Sequence, residues 1–299
     1  MPARGPDQPA AAERTAAERG AALRPSPELL LRTNGGCDLY PGRLLEVFGR
    51  QRQRFTAVLR EFGPGDWSAP TRCAAWSAHD VVRHLCDGTM KLGAIRPDDR
   101  TLDLSAGFDP RITPRGWPAI SATESPDATL TRLLAGTDEL LAVARDRLAR
   151  GHRFDVHLPY GPMDWTVLVL HGLWDSWLHE RDILLARDRE HPTDGDATRY
   201  ATGYGLFMAA AVAAMLGRPV QEKLELGGCG GGVFEVDSRD AVMLHVTEAA
   251  TAGPPAAETA DALAGRSPIA AVLGDLPASS RAALARMGDF FNTPVRQGC

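Results

Sequence analysis

Residues 164–185, DWTVLVLHGLWDSWLHERDILL, constrain the fold more than any other stretch of this chain. Written on a helix, His171, Asp175 and His179 recur every four positions, so they share one face, each about 5.4 Å above the last. Leu168, Trp174, Leu178 and Ile183 flank that stripe at helical spacing. A helix buries its apolar side and solvates its charges, yet here a carboxylate and two imidazoles lie within or beside the apolar side. Burying them without partners costs on the order of several kcal/mol. A divalent metal ion is the simplest compensation.

Composition narrows the partners. The 299 residues are 44% hydrophobic and 24% charged, ordinary for a globular protein and long enough for two domains. A net charge of −5 gives no basic footprint, which argues against nucleic acid. No run approaches the roughly 18 uncharged apolar residues of a membrane span; the longest apolar stretch, residues 206–216, has the length of a buried helix. The cysteines (Cys37, Cys73, Cys86, Cys229, Cys299) are odd in number and contain no CxxC pair. Free thiols in a reducing cytoplasm are the expectation. Residues 1–38 begin with Ala, Arg, Glu and Pro and lack the apolar core of a secretory signal, so they read as a disordered leader.

Helical periodicity begins at residue 40, where Leu44, Leu45, Phe48, Phe55, Leu59 and Phe62 recur with arginines opposite. Gly63-Pro64-Gly65 stops that helix. Ser77 and Asp80 form a capping-box-like SxxD at the head of a second helix, which buries Val81, Val82 and Leu85 and carries His84 on the edge of that face. Residues 95–125 read as a long loop, of the kind that serves as a lid or binding segment. A third helix spans residues 130–150, followed by a short extended insertion turning at Tyr160-Gly161-Pro162 and then by the helix of the opening stretch. Four helices with long crossings predict a four-helix bundle with a site in its core. Residues 189–198 are the candidate linker, and a further helix covers 200–216. Strands are expected at 222–226, 232–236 and 241–247 around a Gly-rich turn, then helices near 256–264 and 279–291. This second half predicts a small α+β domain, so the chain is mainly α with an α+β C-terminal part.

Asp175 and His179 place a carboxylate and an imidazole one turn apart, and a third ligand from another helix leaves an open position for water or substrate. His84, mid-helix with an apolar flank, is the natural third ligand. His171 is a fourth ligand, a partner behind the ligands, or a core histidine, the last being preferred.

Two motifs carry a resemblance. TRCAAWSAHDVVRHL at residues 71–85 resembles the T-x-C-x-x-W-[ST]-x-x-D-[VL]-[VL]-x-H-L signature of the mycothiol-dependent maleylpyruvate isomerase family, within the DinB-like metalloenzymes. DSWLHERDILLA at residues 175–186 is similar to that family's second signature. The resemblance covers roughly residues 40–190 and implies a DinB-like four-helix bundle (39–190) in which His84, Asp175 and His179 hold one divalent ion, zinc being the expected one. Residues 199–296 look like the family's C-terminal, sterol-carrier-like α+β domain. There Arg266 is carried over as a catalytic arginine that clamps a substrate carboxylate; a helix C-terminal cation is its other reading. No cysteine stands at a ligand position, so the implied thiol is external, mycothiol in this family. The resemblance implies thiolate attack on a small electrophile, giving isomerisation by addition and elimination or transfer of the thiol. One departure is Asp175, where the family usually has Glu. Two other readings stay open: a thiol-independent metalloenzyme (a hydrolase or tailoring enzyme using metal-bound water), and a non-catalytic small-ligand-binding protein. Cys73 and Cys86 are expected in the core.

Overall fold

The computed structural model describes residues 41–94, 113–152, 154–158, 161–192, 194–240, 242–247, 249 and 251–291. The leader expected at residues 1–38, residues 95–112 of the expected loop, Tyr160, Cys37 and Cys299 lie outside the described residues. The first half contains helices α1 (Pro41–Arg60), α2 (Pro64–Trp67), α3 (Ala78–Ala94), α4 (Thr113–Ile120) and α5 (Pro126–Ala149), the hairpin β1 (Asp155–Leu158) and β2 (Gly161–Asp164), and helix α6 (Trp165–Leu185). The second half contains α7 (Gly195–Met215), strands β3 (Gln221–Leu226), β4 (Gly232–Asp237) and β5 (Met243–Thr247), and the short helices α8 (Ala256–Leu263), α9 (Ile269–Val272), α10 (Ala278–Leu284) and α11 (Arg286–Phe291). The described chain is thus mostly helical, with an antiparallel three-stranded sheet in its C-terminal part.

Local chemistry explains the boundaries. The expected cap of α3 is present: Asp80 accepts from the Ser77 amide at 3.0 Å, and the Ser77 hydroxyl accepts from the Asp80 amide at 3.2 Å. Helix α5 starts at Pro126, ahead of its first periodic leucine, because Ser125 accepts from Ala128 N and proline is at home in the first turn. Helix α7 likewise starts inside the expected linker, where Asp194 accepts from Ala197 N at 3.1 Å. Helix α4 occupies part of the stretch expected to be loop. Its Pro114 falls at the second residue, where a missing N–H leaves no hydrogen bond unmade.

Helices α1 and α3 each pack against both α5 and α6. Helix α7 lies against α6 on one side and against the sheet and α8 on others. It is apolar nearly all round, so it is a core helix. Its small residues permit close approach: a Cβ on Gly205 would stand 3.3 Å from Leu263 Cδ1. The sheet covers α7 with one face, since Leu224, Phe234 and Val246 stand opposite one another across the strands and are buried. Apolar packing continues from Phe48 and Leu140 through Trp174 and Phe207 to Phe234 and Leu284, so the two halves share one hydrophobic cluster.

Charge also joins the halves. Asp261 of α8 accepts from both Arg72 Nη atoms (2.9 and 3.0 Å) and from Arg181 Nη2 and Nε (2.7 and 3.3 Å). Burial pushes this carboxyl up, but the two guanidinium groups outweigh it and hold it below its ordinary value of 3.8. The link therefore stabilises the fold above that ordinary value and fades as pH falls through the depressed one. Asp261→Ala leaves two largely buried cations facing each other and should cost about 3–5 kcal/mol. Urea unfolding monitored by circular dichroism checks this; an unchanged midpoint refutes the link.

Candidate metal centre

Helix α3 supplies His84, and helix α6 supplies Asp175 and His179. His84 Nε2 stands 3.4 Å from Asp175 Oδ2, and His179 Nε2 stands 3.3 Å from Asp175 Oδ1. Ligand atoms of the three residues all lie within 4.8 Å of one another. The aspartate, shorter than glutamate by a methylene, still presents one oxygen to each imidazole. Trp76 walls the site, its ring 4.9 Å from that of His84 and 6.1 Å from that of His179. The two histidines are buried and the aspartate is half-buried.

Burial raises the Asp175 carboxyl, but the imidazoles of His84 and His179 override it and hold the group well below the usual carboxylate range. His179 mirrors this. Burial lowers it, while Asp175 foremost, aided by Asp182, raises it well above the ordinary imidazole value. A positive charge is therefore favoured at this spot, and a proton supplies it when no metal is bound.

The donor set fits a divalent ion. His179 Nδ1 meets Asp182 Oδ2 at 3.0 Å, so the ring can donate there and keep its Nε2 lone pair for the ion. Asp182 is fully buried and saturated. Its oxygens also accept from Arg72 Nε (3.0 Å), from Arg266 Nε and Nη2 (3.2 and 2.7 Å) and from Cys73 Sγ (3.2 Å). Its carbonyl accepts from the Arg72 amide at 3.1 Å. Cys73, His179 and Asp182 form a second group with metal-ligand spacing. Arg266 already places a cation there, with Nη2 3.7 Å from Cys73 Sγ. Two cations would repel, so of the two groups the triad is the better candidate for an ion, with Asp182 behind it.

The other candidates fall as follows. His171 is not grouped with the triad; its Nδ1 meets the Tyr204 hydroxyl at 2.8 Å, and burial lowers its pKa. Cys73 and Cys86 are buried free thiols, and burial pushes the Cys86 thiol up to about 12, which leaves it unreactive at neutral pH. Arg266 is brought behind the triad, where its donors engage Asp182 and the Ala264 carbonyl (3.0 Å). The periodicity of α6 could have exposed Asp182, three residues beyond His179 and on the same face. Arg72 carried no such signal, because a loop residue's reach depends on the tertiary fold.

Residues 48–184 match the family model of the mycothiol maleylpyruvate isomerase N-terminal domain, and this chain carries that family's domain. The match contains the whole triad together with Cys73 and Asp182. Comparison with curated proteins gives no match, and comparison with solved structures gives none. Among the described residues, no helix is long and apolar enough to cross a membrane.

Asp182→Asn should weaken divalent-ion affinity about 10–100-fold by releasing His179, read by competition with a chelating dye. Because His179 holds its proton above the ordinary imidazole value, an ion must displace that proton. Apparent affinity should therefore rise between about pH 6 and about pH 8. A flat profile over that range contradicts the assignment of His179.

Proposed function

We propose that this protein is a metal- and thiol-dependent isomerase or S-transferase, which uses mycothiol as the thiol and acts on a small electrophilic substrate in the cytoplasm. The proposal reads the first half as a DinB-like four-helix bundle, residues 39–190, and residues 199–296 as a sterol-carrier-like domain. One observation carries it: His84, Asp175 and His179 converge with metal-ligand spacing inside the segment that matches the mycothiol isomerase domain. Two imidazoles and one carboxylate with an open side suit zinc. A bound zinc ion supplies a Lewis acid that favours the thiolate form of a thiol on that open side.

The chain's own residues hold this arrangement. Asp182 fixes the His179 ring, and Arg72 and Arg266 fix Asp182. Trp76 keeps water from one side of both imidazoles. In this reading Arg266 is a positioning residue that acts through Asp182, in place of the substrate clamp implied by resemblance, because its donors are engaged. The thiol comes from outside the chain, since Cys73 and Cys86 are buried and neither belongs to the group formed by His84, Asp175 and His179.

The test is elemental analysis of the purified full chain beside His84→Ala, followed by turnover of electrophiles with and without mycothiol. We expect stoichiometric divalent ion in the wild type, its loss in the variant, and turnover only with the thiol. Turnover without thiol would shift the assignment to metal-bound water chemistry. A chain that takes up no zinc, nickel or iron would leave small-ligand binding as its function.

A further inference from the structure

The periodicity of α1 places its arginines opposite the apolar face, yet Arg52 is only 3% exposed. Its Nη2 donates to Thr89 Oγ1 at 3.0 Å, and its guanidinium carbon lies 5.2 Å from the Phe48 ring centroid. Nε and Nη1 are buried with no hydrogen-bond partner among the described residues. Burial pulls this group down to about 10, which still leaves it charged at neutral pH. An unmatched buried cation is costly, so a missing counter-charge is implied.

Among the described residues, the carboxylates that act on Arg52 are already engaged. Glu180 is taken by Gln51, Arg54 and His191, and Asp175 by the two histidines of the triad. Both act on Arg52 only through their fields. Gln51 also accepts from Ser176 at 2.6 Å, which sets this turn of α1 level with Asp175 and His179. Arg72 and Arg266, by contrast, have their charge met by Asp182 and Asp261.

We propose that Arg52 is the anchor for a carboxylate on the small molecule that enters the helical half beside the metal triad. This rests on reading the triad as a small-molecule site, and it deepens that reading by naming the substrate's charge. A single unmatched guanidinium is balanced by one carboxylate group, which brings one negative charge of its own. The unpartnered N–H groups would donate directly to such an anion. The carboxylate belongs to the electrophile, and its seat on α1 is distinct from the position of Arg266.

The experiment is calorimetric titration of the full chain with succinate, using uncharged succinamide as the control. It is run as purified and again after chelation, so that binding to an ion is separated from binding to Arg52. We expect succinate, and not succinamide, to bind and to raise the thermal unfolding midpoint of the wild type. In Arg52→Met, succinate should bind roughly ten- to a hundredfold more weakly. The variant's midpoint without succinate should equal or exceed that of the wild type, since an unpaired cation is gone. Equal succinate affinity in the variant, or a wild type that does not distinguish succinate from succinamide, overturns the proposal. The second comparison needs no variant and stands if Arg52→Met fails to fold. Neither reads thiol-dependent turnover, so a failed enzyme assay and a failed succinate titration refute different statements.

Discussion

The carboxylate of Asp182 is the interaction on which the rest of this structure depends. It has no contact with solvent and accepts from an imidazole, two guanidinium groups and a thiol that come from three separate parts of the chain. An ionised carboxylate in such a place is tolerable only when every oxygen is satisfied and its charge is met. Burial works against it, and Arg266 and His179 override that effect, holding the group well below its usual range. The consequence is geometric. With Asp182 fixed, His179 has one ring nitrogen committed behind the site and the other turned to the triad.

This arrangement gives the C-terminal half a part in holding a candidate metal site whose residues all lie in the N-terminal half. Arg266 follows α8 and reaches Asp182, while Asp261 of the same helix takes Arg72 and Arg181. The shared apolar cluster around α7 supplies the packing that brings these charges within reach. Apolar burial is non-directional and sets proximity, whereas the ion pairs set orientation. A candidate site supported in this way depends on the second half without any triad residue being drawn from it.

Charge in the helical half is divided into separate, nearly closed sets. Glu180 is matched by Arg54, Gln51 and His191; Asp175 faces two imidazoles; Asp182 faces two arginines and His179. Arg52 stands outside these sets, with Nε and Nη1 unpartnered among the described residues. Arg83 and Arg187 also keep a buried unpartnered nitrogen, but they pair with Asp80 and Asp66, whereas Arg52 has no carboxylate partner among the described residues, and the proposed ligand group would supply one.

Much of this was legible in the sequence. The four-residue recurrence in α6 put Asp175 and His179 on one buried face, the SxxD cap set the start of α3, and alternation in the second half gave all three strands. These are local signals, fixed by helical and strand periods. Proline and capping chemistry moved the starts of α4, α5 and α7 away from where apolar periodicity put them. What only the tertiary structure decided is which charges meet. Asp182 and Arg266 are 84 residues apart, and Arg72 and Asp261 are 189 apart. No local period links them, because a long-range ion pair depends on how helices pack and not on the spacing within any one of them. The sequence alone placed the candidate ligands on their helix faces; the packing determined that they converge, what holds them in place, and that Arg52 has no carboxylate partner among the described residues.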